Sequence, residues 1–166
     1  MKVALVALLF AASAFAQAQS VVATAACGPK DAGFIAKLDN SQHSLTQPEP
    51  GKARVYFIQE KGVDHPILLT KIGLDGVWVG ADKNSSYFSV SVEPGEHHVC
   101  ASVQSHLGHP VGLVHFTAEA GSVYYFNARV IYQDSAATYL FFGAVDSDQA
   151  KYQIASFPLS VSTPMK

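Results

Sequence analysis

The feature that most constrains this chain is a succession of short runs rich in β-branched and aromatic residues, separated by residues typical of turns. The runs begin at Ala53–Gln59 (ARVYFIQ) and continue to Leu159–Val161. Several alternate apolar and polar residues, which is the pattern of a strand with one buried and one solvated face. Eight or so strands at this spacing predict an antiparallel sandwich or barrel. We expect a single β-sandwich, Greek-key or transthyretin-like, of about 7–9 strands.

Turn residues indicate how some of these runs are connected. Asp75-Gly76 is a two-residue hairpin signal, and Glu93-Pro94-Gly95-Glu96 suits a type II turn, with Pro second and Gly third. Leu113–Glu119 and Val123–Ile131 are expected to form a hairpin around Ala120-Gly121-Ser122. Phe34-Ile35, upstream of the main runs, could pair as an edge strand.

A short helix is expected near the C-terminus. Asp146-Ser147-Asp148-Gln149 resembles a capping box, and Pro158 would end a helix running from about Ser147 to Ala155. The expected organisation of the whole chain is a leader (1–18), an N-terminal arm (19–52), the β-sandwich (53–161) and a tail (162–166).

The first residues have the pattern of a secretory signal peptide. Lys2 is followed by an uncharged run, Val3–Ala12, and then by two small-x-small sites, Ala14-Phe15-Ala16 and Ala16-Gln17-Ala18. The run is too short to span a bilayer, and nothing later reaches about 18 consecutive apolar residues, so no transmembrane segment is expected. We therefore expect a secreted protein, cleaved after Ala16 or Ala18.

The chain contains only two cysteines, Cys27 and Cys100. Outside the cytosol, such a pair most often forms a disulfide, which here would tie the N-terminal arm to the core. An alternative is a lipid anchor at Cys27, because Ala25-Ala26-Cys27-Gly28 resembles a lipobox. Against it, Thr24 stands where a lipobox has a large aliphatic residue.

The composition excludes several classes of protein. With 49% hydrophobic residues, the chain can fill a core and is not disordered. Its 11 basic and 13 acidic residues give a net charge of -2, which argues against a nucleic-acid partner. Two cysteines are too few for a disulfide-dense mini-domain or a four-cysteine zinc site.

The segment Gly51–Val161 resembles domain-of-unknown-function family 2846, a bacterial family of small secreted domains. Its similar pieces are Gly51–Phe57 (GKARVYF), Leu74-Asp75-Gly76 before Val77–Gly80, Tyr87-Phe88 with Glu93–His97, and Glu119–Tyr125 (EAGSVYY). The resemblance implies a compact β-sandwich in the periplasm or cell envelope of a bacterium, often as a lipoprotein. The runs Cys27–Lys30 and His98–Cys100 look like features of a subgroup with paired cysteines. The resemblance implies no catalytic or binding residues for this chain.

Histidines provide a candidate metal site. Five of the seven fall between His97 and His115, and imidazole suits both copper and zinc. Neighbouring strand residues point to opposite faces, so His97 and His98 cannot chelate together. The candidate ligands are His98, His106, His109 and His115. The competing interpretation is that these are solvated strand and turn histidines.

Aromatic residues provide a candidate binding surface. Trp78, Tyr87 and Tyr125 lie on predicted strands, where exposed rings could stack on a sugar or anchor a protein. Core packing is the competing interpretation for each of them. A Gly-x-Ser-x-Gly elbow and a phosphate-binding glycine loop are both absent from the sequence.

We therefore expect a non-catalytic binding or structural module without a cofactor, whose partner is an envelope protein or a glycan. The alternatives are a periplasmic metal-binding protein that uses the histidines and a hydrolase that uses carboxylates in turns.

Overall fold

A computed structural model describes residues 25–43, 45–60, 69–104, 110–133 and 137–165 of the chain. Ten strands lie in these residues. They are β1 (Phe34–Asp39), β2 (Ala53–Glu60), β3 (Leu69–Leu74), β4 (Val77–Lys83), β5 (Ser86–Val92), β6 (Gly95–Gln104), β7 (Val111–Ala118), β8 (Val123–Gln133), β9 (Ala137–Ala144) and β10 (Leu159–Pro164). A helix, α1 (Ser147–Ser156), lies between β9 and β10. The predicted leader lies outside the described residues.

The strands form two sheets, as the alternating pattern predicts. One sheet has six strands in the order β1-β10-β5-β2-β8-β9, and the other has four in the order β4-β3-β6-β7. One apolar cluster contains residues of both sheets, including Phe57 and Phe126 of the six-stranded sheet and Ile72 and Val99 of the four-stranded sheet. The fold is therefore mainly β and sandwich-like, with the core between the sheets.

The sheets are less regular than expected. The four-stranded sheet is antiparallel, but β2 pairs with β8 in parallel over seven residues, and β10 is parallel to β5 at Leu159 and Tyr87. The six-stranded sheet is thus mixed, and the described strands number ten rather than 7–9. The predicted edge strand at Phe34-Ile35 is confirmed, because β1 pairs with β10 at the end of this sheet.

The expected hairpin of β7 and β8 is wrong. β7 pairs with β6, whereas β8 pairs with β2 and β9 in the other sheet. The turn between them is held by the start of β2 instead: Gly121 N donates to Lys52 O at 2.8 Å, and Arg54 N donates to Ser122 O at 3.0 Å. These bonds fix the turn through which the chain passes from the four-stranded sheet to the six-stranded sheet.

Two local predictions are confirmed. Asp75 and Gly76 both have positive φ, 50° and 82°, as a type I′ hairpin turn requires. The Asp146 carboxylate accepts bonds from Asp148 N and Gln149 N, which caps α1. The helix lays Ala150 and Ile154 on the outer face of the six-stranded sheet, against Tyr56 and Ile58. No helix in the described parts of the chain is long and apolar enough to cross a membrane.

Candidate functional site

The N-terminal segment 25–33 crosses the outer face of the four-stranded sheet and is fastened there by a disulfide. Cys27 is bonded to Cys100, which lies fully buried on β6, so the predicted disulfide is present. Beside it, Gly76 N donates to Ala26 O at 3.3 Å. Gly73 of β3 lies directly under the segment, where a side chain would collide with the backbone of Ala26 and Cys27. The segment therefore needs a glycine beneath it.

Trp78 and Lys71 hold the rest of this segment. The indole Nε1 donates to Pro29 O at 2.8 Å, and Lys71 Nζ donates to Ala32 O at 2.7 Å. The Lys71 ammonium also lies 4.4 Å from the centre of the Trp78 ring, a cation–π contact. Burial lowers the pKa of Lys71 from its ordinary value. The Trp78 side chain thus binds the protein's own N-terminal segment.

The other two predicted binding aromatics are not fully exposed either. Tyr87 is buried, and Tyr125 is half-buried with its ring stacked on Tyr56 at 5.6 Å between ring centres. Burial raises the pKa of the Tyr125 hydroxyl. The structure therefore does not bring Trp78, Tyr87 and Tyr125 together on one exposed face, and core packing explains the two tyrosines.

An exposed apolar surface instead lies at the far end of the six-stranded sheet. Ile131 of β8 is opposite Tyr139 of β9, and Arg129 is opposite Phe141. The exposed fractions are 45% for Ile131, 55% for Tyr139 and 62% for Phe141. We call these four residues the β8–β9 surface. The sequence does not predict this surface, because all four residues of Tyr139–Phe142 (YLFF) are apolar. The pattern therefore does not show which of these side chains point outward.

His97 forms a pair with Asp75 that resembles half of a catalytic triad. Its Nδ1 lies 2.6 Å from Asp75 Oδ2, but its Nε2 lies 2.8 Å from Glu93 O. Burial disfavours protonation, yet the Glu93 carbonyl and Asp75 outweigh it and raise the pKa of His97. Since both partners accept hydrogen bonds, the imidazolium satisfies both. With both nitrogens engaged, His97 braces the β3–β4 turn and has no nitrogen available to activate a nucleophile.

His98 and His115 face each other across β6 and β7. They are directly opposite in the strand register, point away from the core and have ring centres 6.3 Å apart. Glu96 lies on the same face, with Oε1 3.8 Å from His98 Nε2. Among the residues that the structure describes, no group of three or more His, Cys, Asp or Glu side chains could hold a metal ion.

The other two candidate ligands, His106 and His109, lie outside the described residues. The ends of their loop are Gln104 and Pro110, which are six residues from His98 and five from His115. At about 3.3 Å per strand residue, these ends are roughly 16–20 Å from the pair. The structure therefore places His98 opposite His115, and whether His106 and His109 join them stays a prediction.

A second group of polar residues lies inside the sandwich. Asp82 is fully buried; its Oδ1 accepts a long bond of 3.5 Å from Ser86 Oγ, and its Oδ2 has no partner. Thr70 lies opposite on β3, also buried, with its hydroxyl unpartnered. Burial raises the pKa of Asp82 well above its ordinary value, against the opposing effect of the Ser86 bond. A carboxyl group enclosed in this way is not accessible to a glycan.

A cleft of about 410 Å³ opens where β10 separates from β5 beyond the single pair Leu159 and Tyr87. Two of its lining residues, Ser160 and Ser162, are hydrogen-bonded through their hydroxyls to the backbone of Ala81 on β4. The cleft is lined by Gln42, Thr46, Arg54, Tyr87, Phe88, Ser89, Leu159, Ser160, Val161 and Ser162.

Comparison with curated proteins and with solved structures finds no match. A family model, by contrast, matches residues 49–140, which is more than half of the 166 residues. The matched segment runs from just before β2 into β9 and includes Cys100, His98 and His115, but not Cys27 or α1. The chain therefore belongs to the DUF2846 family of proteins of unknown function.

Proposed function

We propose that this chain is a secreted module of the bacterial envelope that binds a partner protein without catalysing a reaction. The observation that carries the proposal is the β8–β9 surface: Arg129, Ile131, Tyr139 and Phe141 lie side by side and exposed on the last two strands of a sheet.

The chemistry of this surface favours a protein partner. The solvated face of a sheet is ordinarily polar, so adjacent apolar side chains on such a face mark an interaction site. Tyr, Phe and Arg are enriched at protein interfaces, where rigid aromatic rings bury much area at low entropic cost. β9 is also the terminal strand of its sheet, and such strands can pair with an added strand.

Four of the described polar groups that could support catalysis are committed to structural contacts. Asp75 and His97 bond each other and the turns beside them. Asp82 is enclosed in the interior. Glu93 pairs with Lys52 at 3.2 Å. These roles favour binding over hydrolysis.

Two features support secretion. Lys2, the apolar run after it and the small-x-small sites have the pattern of a leader. The disulfide between Cys27 and Cys100 is of the kind that persists in oxidising compartments.

Photo-crosslinking in the native bacterium tests the proposal. A benzophenone amino acid is placed at position 141, and the matched control carries it at Val77, which is equally exposed at 62% but lies on the other sheet. We expect a discrete protein adduct from position 141 and none from position 77. Adding Tyr139→Thr should abolish the adduct, because the partner would lose half of its aromatic contact.

Equal adducts from both positions would contradict a specific surface. The absence of any protein adduct at position 141 would contradict a protein partner. Tyr139→Thr keeps strand propensity, so an unchanged melting temperature would show that the lost adduct reflects binding rather than unfolding.

A further inference from the structure

We propose that the cleft between β5 and β10 binds the C-terminal end of an extended peptide, with the peptide carboxylate on Arg54 and the peptide backbone paired with β5. The cleft and the β8–β9 surface involve different strands of the six-stranded sheet. This site therefore does not depend on the partner proposed for that surface.

Most of the β5 edge that faces β10 is not paired with a strand. The two strands pair only at Leu159 and Tyr87, where Tyr87 N donates to Pro158 O at 3.2 Å. The backbone groups of every second strand residue point to the same edge, so the N–H and C=O groups of Ser89 and Ser91 also point toward β10. Within the described residues, no strand pairs with β5 on this side beyond Tyr87. Such an edge can accept an added strand.

Hydrogen bonds to other strands hold β10 away from this edge. Ser160 Oγ donates to Ala81 O at 2.8 Å, and Ser162 Oγ accepts from Ala81 N at 3.0 Å, which attaches β10 to β4. On its other side, β10 pairs with β1 over six residues. The cleft therefore stays open, and its volume of about 410 Å³ falls in the range of small-ligand sites. Since β10 continues about 16 Å beyond Leu159, the cleft suits a peptide end of a few residues.

Arg54 supplies a positive charge to the cleft. Its side chain lines the cleft and is only 16% exposed, and its buried Nε has no hydrogen-bond partner among the described residues. Glu49 Oε1 lies 3.8 Å from Arg54 Nη2, which is too far for a hydrogen bond, and accepts from Ser91 Oγ at 2.7 Å instead. The Arg54 guanidinium therefore keeps donors with which it can bind a carboxylate through two parallel hydrogen bonds.

The combination of a strand edge and a guanidinium favours a peptide C-terminus over other ligands. An inorganic anion would use Arg54 but leave the backbone groups of β5 unused. An internal peptide segment would pair with β5 but bring no carboxylate of its backbone to Arg54. A C-terminal end satisfies both, and Leu159 and Val161, which also line the cleft, offer apolar contact to its side chains.

Affinity selection by the purified protein from a pool of random hexapeptides with free C-terminal carboxylates tests the site. The same pool with C-terminal amides is the control, and we expect enrichment from the carboxylate pool alone. The affinity of the most enriched peptide is then measured by fluorescence anisotropy. Arg54→Gln should weaken it about tenfold or more, because charge-assisted hydrogen bonds are lost. The matched variant Lys151→Gln removes a positive charge from α1, outside the cleft, and should bind as tightly as wild type.

Hydrogen exchange measured by NMR separates strand pairing from simple anion binding. Exchange of the Ser89 amide proton should slow when the peptide is added, because this N–H would then bond to a peptide carbonyl. Unchanged Ser89 exchange with the peptide bound would overturn the proposal, as would equal enrichment from both pools, no enrichment from either, or full affinity in Arg54→Gln. Where melting temperatures show that Arg54→Gln unfolds, Arg54→Lys replaces it; this variant keeps the charge, loses the parallel hydrogen bonds and should also bind more weakly than wild type.

Discussion

Asp82 places a carboxyl group between the two sheets, where it is fully enclosed by protein and its Oδ2 has no hydrogen-bond partner. An ionised carboxylate in such surroundings is costly, so the group keeps its proton well above the ordinary carboxyl range. Its neighbour Ser86 offers a single long bond, and the Thr70 hydroxyl opposite remains without a partner. The core between the sheets thus contains a buried carboxyl group, Asp82, that is poorly hydrogen-bonded.

The buried Asp82 carboxyl makes the free energy of unfolding depend on pH. Below the unfolded pKa of 3.8, Asp82 is protonated in both states and contributes no pH dependence. Above that value the unfolded state releases the proton while the folded state keeps it, so the free energy of unfolding falls as pH rises. The decline continues until the raised folded pKa is passed.

We predict that Asp82→Asn removes this decline. The variant should gain stability over wild type as pH rises from 4 to 8, measured by urea unfolding at several pH values. His97, whose pKa is raised from 6.5, adds its own loss of stability at higher pH, but this is common to both proteins and cancels in their difference. Thr70→Val, which does not titrate, is the control and should shift stability equally at every pH. Parallel profiles for wild type and Asp82→Asn would contradict the prediction.

At the scale of elements, the N-terminal segment depends on its disulfide. Besides that bond, it is attached through single hydrogen bonds from Gly76, Trp78, Lys71 and Met165, each worth about 1 kcal/mol net. Fixing the backbone of nine residues costs about 1–2 kcal/mol for each. The hydrogen bonds alone therefore do not hold the segment in place.

We predict that reduction releases this segment and exposes Trp78. Trp78 is the only tryptophan, so a red shift of intrinsic emission in reductant reports the release directly. Cys27→Ser/Cys100→Ser should show the same shift without reductant and lose about 4 kcal/mol of unfolding free energy, the value for closing a loop of this size. The same reductant added to that double variant is the control and should change nothing. An unshifted spectrum in the reduced, folded protein would show that the segment stays bound by its other contacts.

The elements also show which features are encoded locally. The turn at Asp75-Gly76 and the cap at Asp146 follow from residues that satisfy their own backbone, and both are predicted correctly. The strand with which β8 pairs is not encoded locally. Alternation shows which face of a strand is buried, but it does not show which strand lies beside it or in which direction that strand runs. Its parallel pairing with β2 involves residues far away in sequence, since Gly121 N donates to Lys52 O and Arg54 N donates to Ser122 O beside the paired strands.

The same limit applies to the candidate sites across the whole molecule. The disulfide could be predicted because two cysteines in a chain that is expected to be secreted leave one pairing. Of the four candidate histidines, the structure places His98 opposite His115, whereas His106 and His109 lie outside the described residues, so the four-histidine site stays a prediction. Exposure of Phe141 and burial of Tyr87 depend on which strand ends the sheet and which lies inside it.

The state of Cys27 determines whether the whole molecule can carry a lipid anchor at that residue. A sulfur bonded to Cys100 cannot also carry a lipid, so the disulfide and the lipid anchor are mutually exclusive for each molecule. We predict that the protein isolated from its bacterium begins at Gln17 or Gln19, carries no acyl group and has no thiol that reacts with a label after denaturation without reductant. Intact mass, the N-terminal peptide and thiol labelling measure these properties together. Labelling after reduction is the control and should modify both cysteines. An acylated N-terminus at Cys27, with Cys100 free, would contradict the prediction and make the protein a lipoprotein.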